Sequence, residues 1–398
     1  MRRLGLLGPA FVASIAYVDP GNVAANLTAG ARYGFLLLWV LVLANVFAML
    51  VQYLSAKLGI VTGRSLPELL GERLGRPARL AFWAQAEIVS AATDLAEVVG
   101  GAIALQLLFG APLVVGGVLV GAASIGLLAL QTRGQRRFEF AIMSLLAIIA
   151  VGFVAGAVAA PIDWRGLAGG LVPRFDGAPT VLLAASMLGA TVMPHAVYLH
   201  SSLARDRHRT DKSQEHRRAL LAANRVDVIS ALTIAGVVNI AMLVLAATSL
   251  RGVQGTEGIP GAHAAIVAAL GPALGVVFAV GLLASGFASS SVGSYAGAVV
   301  MGGLLRVRVP LLARRVATLL PAIVVLALGV DPTWALVFSQ VVLSVGIPFA
   351  IIPLIRLTGS RAVMGAEADA PATRVLAGLV AAGIVLLNVA LVVLAVRG

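Results

Sequence analysis

Eleven stretches of the chain are apolar almost without interruption: about 4–31, 35–60, 80–109, 112–131, 138–160, 179–203, 219–249, 272–304, 314–330, 333–356 and 374–396. Most are long enough to carry a helix across the ~30 Å hydrocarbon core of a bilayer. Continuous runs predict helices, whereas a membrane barrel would show shorter segments of alternating polarity. Two of the runs are broken. The first contains Asp19-Pro20-Gly21-Asn22 and the sixth contains Met193-Pro194-His195. Paired interruptions in corresponding segments are a pointer to a transporter's binding site. Breaks in spans one and six imply five spans per repeat, and an odd number inverts the second repeat relative to the first. The pattern therefore predicts an all-α membrane protein of eleven transmembrane helices with a 5+5 inverted repeat and discontinuous helices 1 and 6. A single transporter domain over 1–398 would hold helices 1–5 in 1–160, helices 6–10 in 161–360 and an extra helix 11 in 361–398.

Composition supports this picture. The chain is 60% hydrophobic and 12% charged, against about 25% charged in soluble domains. The formal charge of +12 could suggest a nucleic-acid partner, but its placement gives another reason for it. With the N-terminus inside, 24 of the 29 basic residues fall in inside loops, from Arg2 and Arg3 through Arg133, Arg209, Lys212 and Arg308 to Arg374. Arg32, Arg165, Arg174, Arg251 and Arg397 fall outside. This bias predicts a cytoplasmic N-terminus and an outside C-terminus, with no nucleic acid needed. Met1-Arg2-Arg3 leads into a span that lacks a small-residue cleavage site, so no cleavable signal is expected. Cysteine is absent, which excludes thiolate ligands and disulfides. No zinc-protease, phosphate-loop or serine-hydrolase motif is present, and the chain does not read as an enzyme.

The breaks carry chemistry. Proline has no N–H, so Pro20 frees the carbonyl of Ala16 and Pro194 that of Ala190. The residues before each proline, Asp19 and Met193, are pushed out of helical geometry. With Asn22 this assembles a carboxylate, an amide oxygen, a thioether and two carbonyls. Magnesium and calcium gain nothing from a thioether, whereas Mn²⁺, Fe²⁺, Co²⁺ and Cd²⁺ accept a softer donor. A carboxylate within a span is by default functional. Asn22 could instead cap the second half-helix, Met193 could be core filler, and His195 could be either a satisfied interior histidine or a proton carrier.

The third span holds three more acids, Glu87, Asp94 and Glu97, on one helical face. They could pair with Arg314 and Arg315 at the start of the ninth span, serve as a proton relay, or do both. Gln340, Asn239, Thr93 and His200 could line a central cavity or act as helix–helix glue. The small-residue stretch around Ser289-Ser290-Ser291 reads as close helix packing.

Gly8-Pro9-Ala10 followed by Ser14-Ile15-Ala16-Tyr17-Val18-Asp19-Pro20-Gly21-Asn22 resembles the natural resistance-associated macrophage protein (Nramp) family. Met193-Pro194-His195 with Tyr198-Leu199-His200-Ser201, Thr93-Asp94-Leu95-Ala96-Glu97 and Ser294-Tyr295-Ala296-Gly297 resemble it too. The resemblance implies a LeuT-like fold and proton-coupled import of Mn²⁺ or Fe²⁺, also Co²⁺ and Cd²⁺, across a bacterial plasma membrane. It implies Asp19, Asn22, Met193 and the Ala16 and Ala190 carbonyls as metal ligands, with Gln340 joining in some states. It implies a proton route through Asp94, Glu97, Glu87 and His195, with Arg314 and Arg315 towards the inside. No cofactor is expected, since metal ion and proton are cargo, and the molecule is expected to be a monomer in the lipid bilayer. The rival reading is an amino-acid or organic-cation symporter on the same scaffold. A membrane-embedded enzyme or a passive channel fits the residues less well.

Overall fold

A computed structural model describes residues 8–132, 134–207, 214–256, 258–307 and 309–397. Arg2, Arg3, Arg133, Arg209, Lys212 and Arg308, which the charge count uses, lie outside the described residues. Every regular element among those described is helical. The first predicted span consists of α1 (Pro9–Ser14), a tighter 3₁₀ turn (Ile15–Val18) and α2 (Pro20–Tyr33). Then follow α3 (Leu38–Thr62), α4 (Leu66–Arg73), α5 (Arg76–Phe109), α6 (Leu113–Thr132), α7 (Gln135–Ala159) and α8 (Trp164–Gly169). The sixth span is split into α9 (Gly177–Thr191) and α10 (Pro194–Arg207). The remainder is α11 (Gln214–Ser249), α12 (Ile259–Leu270), α13 (Pro272–Leu305), α14 (Leu311–Ala327), α15 (Pro332–Thr358), α16 (Arg361–Met364) and α17 (Pro371–Arg397).

The described part of each of the eleven apolar stretches falls on one helix or one broken pair. Among the described residues, nine helices are long and apolar enough to cross a membrane, with α9 and α10 counted together. The other two stretches are the broken α1–α2 and the 17-residue α14, which carries Arg314 and Arg315. α10 continues to Arg207, past the end of the sixth apolar stretch at about 203. Arg205 and Arg207 sit in its last turn, where cations suit the helix dipole, and Arg207 pairs with Glu139 of α7 at 2.6 Å.

Short helices were not predicted from hydropathy. α4 begins with a reciprocal capping box between Ser65 and Glu68. Burial pushes the Glu68 carboxyl up, but the Ser65 amide and Arg205 outweigh it and hold it below its ordinary value. The Arg205 guanidinium pairs with Glu68, so α4 is fastened to the end of α10.

The polarity of the bundle is that of a protein in lipid. Phe140, Val158 and Leu328 are about three-quarters exposed, while Asp19, Asn22, Asp94, Glu97 and Arg315 are fully buried. Polar side chains are concentrated where α1–α2, α5, α9–α10, α13 and α15 meet. α13 lies almost directly on α5: a Cβ added at Gly286 would sit 2.9 Å from the Gly101 Cα and 3.0 Å from the Glu97 carbonyl oxygen. Only glycine permits that approach of two backbones.

A paired helix break and its charged network

The first break is shaped by Asp19. Its backbone is extended, and its carboxylate caps α2 by accepting from the Gly21 amide at 3.2 Å and the Asn22 amide at 2.9 Å. The cap is therefore Asp19, and Asn22, expected as a possible cap, lies at the third helical position. Its side-chain nitrogen donates to Asp19 Oδ1 at 2.6 Å. Two carbonyls exposed by the break have side-chain partners: Asn239 donates to Tyr17 at 2.7 Å and Ser285 to Val18 at 2.6 Å. Pro20 brings no N–H to the Ala16 carbonyl four residues before it. Asn239 also accepts from Asn26 at 2.8 Å, tying α2 to α11.

At the second break the Val192 amide closes α9 on Leu188 at 2.9 Å, and α10 starts at Pro194. The Ala190 carbonyl accepts from Asn22 Nδ2 at 2.8 Å. One amide nitrogen thus joins the Asp19 carboxylate to the freed carbonyl across the two half-helix pairs. The hydroxyl of Thr191 lies 3.4 Å from Asn22 Oδ1 but donates at 2.7 Å to its own helix at Met187. Met193 is fully buried in the same apolar cluster as Ala16, Tyr17 and Val18.

Gln340 of α15 is buried, and neither atom of its amide has a hydrogen-bond partner among the described residues. A Cβ at Gly21 would lie 1.7 Å from Gln340 Nε2 and 2.9 Å from Asp19 Oδ2. Gly21 is what lets Gln340 lie over the first turn of α2 beside Asp19. Gly21 and Gln340 line a cavity of about 270 Å³ between α2, α9 and α15, with Tyr33 and Thr333 among its other walls. It links the far end of α2 to the break. Among the described residues no group of three or more His, Asp or Glu could form a metal cage.

The third-span acids meet the arginines. Asp94 Oδ1 and Arg315 pair at 2.7 Å, both fully buried, and Glu87 pairs with Arg314 at 2.5 Å. Arg315 also donates to Ser124 at 2.7 Å, to Ser294 at 3.1 Å and to Ser290. The serine run of α13 is therefore a hydroxyl lining for Arg315 as well as a packing surface. Asp94 Oδ2 and both oxygens of Glu97 have no hydrogen-bond partner among the described residues. Glu97 lies against α13, where a Cβ at Gly293 would be 3.2 Å from its Oε2. The Nδ1 of His195 is 3.5 Å from the Thr93 hydroxyl, and its Nε2 has no partner among the described residues. Gln52 donates to the Tyr17 hydroxyl at 2.6 Å and meets His200 at 2.8 Å. Ser124, Ser285 and Gln52 were not singled out in the sequence as partners of other groups, because an uncharged polar residue leaves an apolar run intact.

Two interrupted helices whose breaks meet at a buried carboxylate, packed in an all-helical bundle with apolar outer faces, define a multi-pass membrane transporter of LeuT-like fold. The comparisons agree. Residues 10–394 match the family model described as natural resistance-associated macrophage protein-like. The chain is 60% identical over 394 residues to "Divalent metal cation transporter MntH" of Mycobacterium tuberculosis, covering 99% of this chain and 92% of that protein. It is 44% identical over 392 residues to the protein of the same description from Bacillus subtilis, covering 98% and 92%. The manganese transporter of Eremococcus coleocola, solved with an aromatic bis-isothiourea compound, superposes with a TM-score of 0.88 at 31% identity, over 97% of this chain and 85% of that one. The chain belongs to the Nramp family. It is a transporter and not an enzyme.

Proposed function

We propose that the protein imports divalent transition metal ions, Mn²⁺ and Fe²⁺ with Co²⁺ and Cd²⁺ also accepted, together with protons. Metal transport is supported by relatives described as divalent metal cation transporters and by likeness to a manganese transporter. One observation carries the choice of site. A single Asn22 nitrogen bridges the Asp19 carboxylate and the Ala190 carbonyl, so two oxygens from opposite breaks converge on one electropositive group. A metal ion takes that group's place when the Asn22 amide turns to present its oxygen. The remaining ligands are the Ala16 carbonyl, the Met193 thioether and, as α15 shifts, Gln340. One carboxylate against a divalent charge keeps binding moderate, as turnover requires, and the thioether favours softer ions.

Protons follow a separate route through Asp94, Glu97, Glu87 and His195, with Arg314 and Arg315 balancing charge towards the cytoplasm. The cavity beside Gln340 is the outer approach, given a cytoplasmic N-terminus and an outside C-terminus. Spans 1–5 (residues 1–160) and 6–10 (residues 161–360) act as inverted repeats, the span in 361–398 as an addition. The working molecule is a monomer in the plasma membrane that needs no resident cofactor. The amino-acid symporter reading loses support at the same place. The N-terminus of α2, which would hold a substrate carboxylate, is occupied by Asp19's own.

Uptake by proteoliposomes across a panel of Mn²⁺, Fe²⁺, Cd²⁺, Ca²⁺ and Mg²⁺ at two pH values, with an internal pH dye, tests this. The expected result is Mn²⁺, Fe²⁺ and Cd²⁺ entry accompanied by acidification. Mg²⁺ uptake equal to Mn²⁺, or metal entry without acidification, sinks the corresponding half.

A further inference from the structure

The connection between α15 and α17 surrounds a cavity of about 740 Å³ that lies apart from the helix breaks. Its charged walls are Arg361, Arg374 and Asp369. Asp369 is already neutralised: its carboxylate pairs at 2.6 Å with Lys57 of α3, and both side chains are almost completely buried. The two exposed guanidiniums therefore set the sign of the cavity. Arg356, in the last turn of α15, adds a third exposed cation to the same end.

The walls are held in place. The Asp369 amide donates to the Thr358 carbonyl at 3.0 Å, and Met364 of α16 is buried in an apolar cluster with Leu357, Ala377 and Val380. Arg374 is seated by its stem, because a Cβ at Gly359 would lie 2.8 Å from its Cδ. The glycine admits the methylenes and leaves the guanidinium at the cavity. Such a planar fork suits the paired oxygens of a phosphate.

What lies next to the arginines decides which phosphate. Starting with the residue after Arg374, α17 presents Val375 at 63%, Leu376 at 52% and Leu379 at 67% exposure. A free anion would use the arginines alone, whereas a phospholipid also covers the exposed apolar residues that follow Arg374 along α17. We propose that this cavity is a seat for one anionic phospholipid. Its headgroup phosphate lies on Arg361 and Arg374, and an acyl chain runs along Val375 and Leu379. Basic pockets at the ends of membrane helices bind anionic headgroups on the same principle. The seat belongs to the inner leaflet in the orientation proposed above, but headgroup selectivity does not depend on that orientation or on which ion is carried.

The test is native mass spectrometry of the full chain in detergent, with dioleoyl phosphatidylglycerol, dioleoyl phosphatidylcholine and inorganic phosphate as probes. Phosphatidylglycerol should be retained over phosphatidylcholine by roughly thirtyfold, at the usual strength of two basic residues near a headgroup. Arg361→Gln with Arg374→Gln should remove that preference, and the lysine pair should keep part of it. If the double variant does not fold, Arg361→Gln alone carries the test, since Arg361 is exposed and its side chain makes no hydrogen bond or ion pair among the described residues. Equal retention of the two lipids overturns the proposal. So does an unchanged preference in the glutamine variants, or complete displacement by millimolar inorganic phosphate, which would mark a site for soluble anions.

Discussion

The side-chain nitrogen of Asn22 lies 2.8 Å from the carbonyl oxygen of Ala190, the group that Pro194 deprives of its helical partner. Two interruptions far apart in sequence are thereby bonded directly to each other. Neither break is a local defect; each supplies what the other lacks.

The closeness of Gln340 to that bond gives the first prediction. Gly21→Ala introduces a methyl into space held by Gln340 Nε2 and Asp19 Oδ2. Overpacking of this kind costs about 1–3 kcal/mol, so Mn²⁺ binding by calorimetry should weaken roughly tenfold or more. The crowding should also lower the thermal midpoint in detergent, and Gly21→Ala with Gln340→Ala should recover the midpoint but not the metal affinity, since Gln340 is itself a proposed ligand. No recovery of the midpoint in the double variant would show that the crowding is not the cause.

Selectivity tests the thioether. Met193→Ala should lower Mn²⁺ and Cd²⁺ uptake relative to Ca²⁺ and Mg²⁺, with Cd²⁺ losing most because it is the softest. Competition in proteoliposomes measures the ratio directly. A uniform fall for all four ions would mean that Met193 only fills the core.

The buried Asp94–Arg315 pair predicts an asymmetry between stability and transport. Arg315→Met leaves Asp94 buried and unpaired, and breaking such a pair costs about 3–5 kcal/mol, visible as a lower thermal midpoint in detergent. Asp94→Asn keeps an acceptor for Arg315 and should be milder in stability. The same variant should reduce proton entry while metal uptake partly survives. Normal acidification in Asp94→Asn liposomes would falsify the relay.

Asn239 and Ser285 should matter without touching the ion. Their bonds to the Tyr17 and Val18 carbonyls fix the turn that precedes Asp19. Leaving a buried carbonyl unpaired costs about 1–3 kcal/mol. Asn239→Ala and Ser285→Ala should slow uptake of every accepted ion to a similar degree. A change in the order of preference among Mn²⁺, Cd²⁺ and Ca²⁺ would instead make them part of the site.

The helices were legible in the sequence because hydrocarbon imposes long apolar runs, and the breaks because proline and a lone carboxylate violate that pattern. Asp94 and Arg315 stood out for the same reason. α4 carried a readable sign, Ser65 three residues before Glu68, which hydropathy alone passes over. Ser285 and Ser124 had no such mark: a hydroxyl in a span can bond to its own helix at almost no cost, so only the facing carbonyl or guanidinium reveals its use. The orientation of Asn22 depends likewise on a neighbour 168 positions away.

The glycine contact between α5 and α13 limits how this machine can be divided into parts. With Gly286 against Gly101 and no side chain between them, the two helices cannot slide without one backbone climbing over the other. In the proposed transport cycle this pair is the fixed part: the acids of α5 and the serines of α13 keep their spacing, and the motion falls to the half-helices on either side of Asp19 and Met193.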